Sequence, residues 1–180
     1  YDFRKKRVLS VLGSSDQVLT ARFLDAKKVD CFDTNRLTMY YYYLRIWSLK
    51  YRNLMYPDVL NGNKWLEDLL KDVNPITSSE NKAKEFFMKH VKNNTKLINL
   101  FYDVEAQPKG ETIYTNAEEL KSILNKPLNF HQYNLFRPIE GESLYDIILI
   151  SNILEWARGD REKLIVARDN IQRLLKNNGV

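Results

Sequence analysis

A short apolar run from Val8 to Leu12 leads into Gly13-Ser14-Ser15-Asp16-Gln17, and a second short apolar run follows from Val29 to Phe32. Runs this short and this rich in branched residues suit strands buried on both faces rather than helices. The segment between them, Val18 to Leu24, suits a short helix ending near Asp25-Ala26-Lys27-Lys28. Strand, turn, helix and strand in so few residues imply two parallel strands joined by a right-handed crossover. The chain is therefore expected to be an α/β protein.

Beyond Arg36 the pattern changes. Leu37, Tyr40, Tyr41, Leu44 and Tyr51 recur at spacings of three and four, which predicts a helix to about Met55. Successive helix residues lie about 100° apart, so the four tyrosines at 40–43 cannot share a face: two pack inside and two sit at the rim. Val59–Leu70 and Ser78 to about Phe101 read as two more helices, the second opened by a Thr77-Ser78-Ser79-Glu80 capping box. His90 on its apolar face reads as a satisfied, partly buried residue. Thr115-Asn116 is expected to cap a further helix ending near Asn125-Lys126-Pro127. Leu128–Tyr133 alternates like a strand, and Tyr145–Ile150 is the most apolar run, expected to be a central parallel strand. Asp160 caps a last helix whose apolar face is Leu164, Ile165, Ala167, Ile171, Leu174 and Leu175. The ending Asn177-Asn178-Gly179-Val180 reads as a helix stop followed by the first residue of another strand, so the chain reads as a trimmed fragment.

Three of the strands end in small or polar clusters: Gly13 to Gln17, Asp33-Thr34-Asn35, and Ser151-Asn152. In an open parallel sheet ligands bind outside the carboxyl ends of the strands, near the point where strand order reverses. The three clusters should therefore meet at one crevice. Asp33 lies twenty residues after Gly13, the spacing at which an acidic residue accepts hydrogen bonds from ribose hydroxyls in nucleotide-binding βαβ units. The other reading of Asp33 is a cap for the helix that follows.

Composition narrows the partners. The net charge of +5 is small against 28 basic and 23 acidic residues that are mixed nearly everywhere. A nucleic-acid footprint needs its cations on one face, so nucleic acid is a disfavoured partner, and the run Arg4-Lys5-Lys6-Arg7 reads as a solvated strand entry. Cys31 is alone, so it forms no internal disulfide, and with only His90 and His131 no metal site is expected. No transmembrane stretch and no signal peptide are visible, which makes a cytoplasmic location the default. Oligomeric state is not legible.

The stretches VLSVLGSSDQVL, VDCFDTN, YDIILISNILEW and LLKNNGV resemble motif I, the acidic second-strand motif, motif IV and the lead-in to the fifth strand of class I S-adenosylmethionine-dependent methyltransferases. More narrowly, GSSDQ and FDTNRLTMYYYYLRI are similar to the DUF3419 group, which includes enzymes transferring the 3-amino-3-carboxypropyl group of S-adenosylmethionine to diacylglycerol. The resemblance implies a Rossmann-like three-layer αβα sandwich in a single domain, residues 1–180, carrying a helical insertion at 54–111 after the second strand. It implies S-adenosyl-L-methionine as cofactor. Gly13 and Ser14 would line its methionine side with Ser15, Asp16 and Gln17 close behind, Asp33 would hold the ribose, and Thr34-Asn35 would lie beside the adenosine. The third-strand motif falls at Tyr133-Asn134-Leu135, with Asn134 and Leu135 at the adenine. Ser151 would line the reacting centre, where Asn152 and Glu155 are the candidate catalytic groups, orienting a small-molecule or lipid-like acceptor or taking its proton. The acid usual two positions before the motif I glycine is Val11 here, and Asp16 is the candidate to replace it. Glu155 reads equally as a solvated helix-entry charge, and Trp156 as packing. Two other functions compete: an NAD-dependent oxidoreductase, disfavoured by the missing second and third glycines, and a non-catalytic module that keeps the nucleotide fold for binding.

Overall fold

The computed structural model describes residues 2–57, 62–95, 101, 117–124, 128–140 and 144–180. In chain order its elements are β1 (Arg7–Val11), α1 (Asp16–Phe23), β2 (Lys28–Phe32), α2 (Arg36–Arg52), α3 (Gly62–Asp72), α4 (Ser78–Lys92), α5 (Ala117–Lys121), β3 (Asn129–His131), β4 (Ile147–Leu149), a 3-10 turn (Ile153–Ala157) and α6 (Arg161–Leu174). Contacts divide them into two compact units, Tyr1–Arg36 with Asn125–Val180, and Leu37–Leu124. The fold is α/β, with a four-stranded sheet and six α-helices among the described residues.

The first unit is built on that sheet, whose strand order is β3-β2-β1-β4 with every pair parallel. This order is compatible with a Rossmann-like arrangement: β1, β2 and β3 progress in one direction, β4 lies on the other side of β1, and strand order reverses between β1 and β4. The crossover unit expected from the sequence is present as β1-α1-β2. Val11 pairs with Phe32, Phe32 with His131 and Ser10 with Leu149, so the strands finish along one edge. Leu9 and Phe32 pack on one face with Ala167 and Leu174 of α6. Alternation turns Val8, Ser10, Val29 and Cys31 to the other face, where they are also buried. Burial pushes the Cys31 thiol well up, and the nearby Asp30 and Asp33 charges add to it, so the lone cysteine is a neutral core residue.

Two strands are shorter than expected. The 128–133 strand stops at His131 because the Tyr133 N–H folds back onto the His131 carbonyl (3.0 Å). In the 145–150 run only Ile147–Leu149 is strand; Tyr145 makes an isolated bridge to Leu175. Val180 donates to the Asp146 carbonyl (3.0 Å) and accepts from the Ile148 N–H (2.8 Å), which is parallel-ladder bonding along the edge of β4 away from β1.

The second unit takes in the tyrosine-rich helix from Leu37 onward. The reason is packing: Tyr41, Leu44 and Trp47 of α2 share a core with Leu66, Leu69, Leu70, Val73, Ala83 and Phe87. Tyr41 and Tyr42 are buried while Tyr40 and Tyr43 are half-buried, as the helical spacing required. The buried Arg45 closes the end of α2, its Nε donating to the Met55 carbonyl (2.9 Å) and its guanidinium lying 4.2 Å from the Tyr56 ring centre. The helix expected to run to Phe101 ends at Lys92, because Asn93 and a left-handed Asn94 (φ 51°) turn the chain out of it. His90 is half-buried against Phe86 and its pKa is lowered, by burial and then by Lys89, but its Nδ1 has no hydrogen-bond partner among the described residues. The caps expected at Thr115 and Asn116, and the close at Asn125-Lys126-Pro127, lie outside the described residues.

The Thr77 capping box is present. Thr77 Oγ1 accepts from the Glu80 N–H (3.2 Å), and the Glu80 carboxylate answers the amides of Ile76 and Thr77. Replacing Thr77 by Ala should lower stability by about 1 kcal/mol, read as a reduced urea midpoint with an unchanged slope.

Candidate functional site

The turn after β1 is tight and unusual. The Ser15 N–H bonds back to the Leu12 carbonyl (2.6 Å), with Gly13 (φ 43°) and Ser15 (φ 74°) both left-handed. Glycine bears such a φ without strain; a serine there carries a cost of about 1 kcal/mol that the surrounding turn must hold in place. A Cβ on Gly13 would meet nothing within 4 Å, so the space over this turn is open. Ser15 is the N-cap of α1 yet makes no capping bond with its side chain. Its Oγ, in a fully buried residue, and the buried Gln17 Oε1 have no hydrogen-bond partner among the described residues. Orphaned polar atoms in a native fold call for an explanation, and two of them within four positions of one glycine point to a ligand. Ser14 Oγ donates to the Asp16 carboxylate (2.8 Å), which orients that acid at the start of α1.

Asp33 faces the same turn from the end of β2. Its Oδ2 accepts from the Gly13 N–H (3.1 Å) and its Oδ1 from the Asn35 N–H (2.9 Å), while its own N–H donates to the His131 carbonyl (3.2 Å). The carboxylate is thus fixed between the ends of β1 and β2, half-buried, with lone pairs to spare for a further donor. Asp33 thus tethers the glycine turn and orders the entry to α2. Thr34 and Asn35 are exposed, and the Thr34 carbonyl faces Gln132 Nε2 at 3.4 Å.

The remaining candidates divide. Asn134 is half-buried, but its Oδ1 already accepts from the Phe136 N–H (2.9 Å), so its side-chain amide NH₂ is the better-placed group for a ligand. Leu135 is buried in the core beneath α6, leaving only its backbone to touch a ligand. Ser151 (φ 50°) turns the chain directly after β4, the strand next to β1, so its turn and the Gly13 turn flank the point where strand order reverses. Asn152 and Glu155 are exposed on the 3-10 turn and its entry, and Trp156 is 75% exposed rather than packed.

Two features escaped the sequence reading. Asn170 of α6, 2% exposed, donates to the carbonyls of Leu135 (2.9 Å) and Arg137 (2.7 Å) and accepts from the Ile139 N–H (3.0 Å), pinning the Asn134–Ile139 loop. Its signal was legible as a polar residue three after Ala167 and four before Leu174 on an apolar helix face. His131, the last residue of β3, stacks its ring on that of Tyr133 with centres 4.9 Å apart, and the His131 carbonyl accepts from the Asp33 N–H.

No family model matches this chain, and neither a curated protein nor a solved structure is similar to it. Among the described residues, no helix is long and apolar enough to cross a membrane.

Proposed function

We propose that this protein binds S-adenosyl-L-methionine along the carboxyl edge of its sheet and acts as a transferase, methyl or 3-amino-3-carboxypropyl, on a small-molecule or lipid-like acceptor. The observation that carries the reading is the Asp33 carboxylate held against the open Gly13 turn, with orphaned Ser15 Oγ and Gln17 Oε1 in that turn. The chemistry of this donor set fits the cofactor. Asp33 would hold the ribose hydroxyls, Gln17 and Asp16 the ammonium, Ser15 the carboxylate, and the Asn134 side chain with the Leu135 backbone the adenine.

When bound, the cofactor supplies an electrophilic carbon beside a sulfonium. What the chain must add is alignment of a nucleophile with that carbon. Asn152 orients the acceptor through its amide, and Glu155 takes the acceptor's proton. The exposure of both residues favours a second reading, a binding module that keeps the cofactor edge without catalysis.

Calorimetric titration with S-adenosylmethionine, S-adenosylhomocysteine and NAD tests the cofactor. Binding of NAD alone, or of none of the three, overturns the proposal. Gly13→Val should abolish the binding because a branched side chain fills the open space over the turn. Its fold should survive with a loss of about 1–2 kcal/mol from the left-handed φ. Mass analysis of the spent cofactor then separates the two transfers, S-adenosylhomocysteine marking methyl and methylthioadenosine marking aminocarboxypropyl transfer. Binding without turnover leaves the second reading.

A further inference from the structure

Among the described residues, Lys5, Ser15, Asp25, Asn53, Asn94 and Ser151 are left-handed without being glycine. All are exposed except Ser15, which is 0% exposed. Ser15 is thus set apart from every other strained position, and a comparison of helix starts sets it apart again. Thr77 and Asp160 hold extended backbones (φ −116° and −100°), from which their side chains accept the Glu80 N–H (3.2 Å) and the Lys163 N–H (3.1 Å). Ser15 (φ 74°, ψ −1°) stands at the same position of α1, yet its side chain caps nothing. Its Oγ has no partner among the described residues.

Serine is therefore a poor choice for the fold at this position. A left-handed φ and a buried hydroxyl without a partner each work against stability. Glycine would carry the φ without strain and bring no hydroxyl into the interior, as it does two positions earlier at Gly13 (φ 43°). Places where the native residue contradicts its local surroundings in this way are expected to be functional ones.

The surroundings of Ser15 indicate the function. It follows β1 at the edge where Asp33 holds the Gly13 amide and where the space over Gly13 is open. The next two residues, Asp16 and Gln17, offer acceptor oxygens, which suit a cation. A ligand that also carries an anion needs a donor here, and the Ser15 hydroxyl is one. No hydrogen bond is lost when rotation about χ1 turns that hydroxyl toward a ligand, because it makes none. The first turn of α1, which Ser15 leaves uncapped, favours negative charge at the same place.

We propose, resting on the cofactor reading above, that Ser15 is the residue by which this site selects a carboxylate-bearing cofactor over one lacking the group, and that it is kept there against the stability of the fold. A residue held for binding and a residue held for structure predict opposite signs on replacement. Removing a structural serine lowers stability; removing this one raises it while affinity falls.

The test compares wild type, Ser15→Gly and Ser15→Ala by urea unfolding without ligand and by calorimetric titration with S-adenosylmethionine and with decarboxylated S-adenosylmethionine. Ser15→Gly should raise the urea midpoint, and Ser15→Ala, which removes the hydroxyl but keeps the φ, should fall between it and wild type. Both variants should bind S-adenosylmethionine about tenfold more weakly, the loss of one hydrogen bond to a charged group. The decarboxylated compound should bind wild type about tenfold more weakly than S-adenosylmethionine and should bind all three proteins alike. A lowered midpoint in both variants, undiminished affinity for S-adenosylmethionine in both, or equal affinity of wild type for the two compounds overturns the proposal and leaves the cofactor reading standing. Wild type that binds neither compound overturns the cofactor reading and this selection with it.

Discussion

Replacing Asp33 by Ala is expected to lower the affinity for S-adenosylmethionine by about a hundredfold, because two hydroxyl bonds to a charged acceptor, at about 1.5 kcal/mol or more each, are lost together. The same change takes the acceptor from the Gly13 and Asn35 amides. A loss of about 1–2 kcal/mol in stability should therefore accompany it, too little to unfold a domain of this size. Asp33→Asn separates the two effects. It keeps one acceptor oxygen for a backbone amide but replaces the other by a donor, so stability should recover in part while affinity stays low. Titration calorimetry on the folded variants reads the first effect and urea unfolding the second. Undiminished affinity in Asp33→Ala would reduce Asp33 to a tether between two turns.

The largest loss of stability is expected at Asp30. This carboxylate is 2% exposed in the middle of β2 and accepts from Tyr145 Oη (3.0 Å), Asn129 Nδ2 (2.9 Å) and Lys28 Nζ (3.0 Å), tying β2 to β3 and to the start of the β4 segment. Asp30→Ala leaves the buried Tyr145 hydroxyl without its acceptor and releases the exposed Asn129 and Lys28 to water, and should cost about 2–3 kcal/mol, a large share of a typical domain's stability. Tyr145→Phe, which removes one donor cleanly, should cost about 1 kcal/mol. The pair also has a pH signature. Burial, then the Asp30 charge and the hydrogen bond to it, raise the Tyr145 phenol above its ordinary value of 10. A raised folded pKa means that the stabilisation is complete below about 10 and is lost as pH climbs from there through the folded value. Wild-type protein should lose stability above pH 10 more steeply than Tyr145→Phe, measured by urea midpoints across that range. Parallel slopes would show that the phenol carries no linkage.

Asp30 also marks the limit of reading elements from pattern. It sits inside what the sequence offered as a plain apolar run, Val29 to Phe32, and only its contacts with Asn129 and Tyr145, beside Lys28, explain why an acid is tolerated there. The partners are 99 and 115 residues away, beyond any local window. Asn134 shows the reverse case. Its side chain suited a ligand by type, but its oxygen is spent locally on the turn to Phe136.

What the amino-acid order determined by itself was local and periodic. The two short apolar runs with a helix-length connection dictated parallel strands and a crossover, the spacing of Tyr41, Leu44 and Trp47 dictated a helix with two tyrosines inside, and Thr77 with Glu80 dictated a helix start. These follow from chirality, side-chain direction and capping, which act within a few residues. Tertiary structure alone decided the rest: that Asp33 closes onto Gly13, that Asn170 holds the Asn134 loop, and that Asp30 finds three donors. Each depends on bringing together residues whose separation in the chain says nothing about their distance in space, since a parallel sheet pairs strands by order and register.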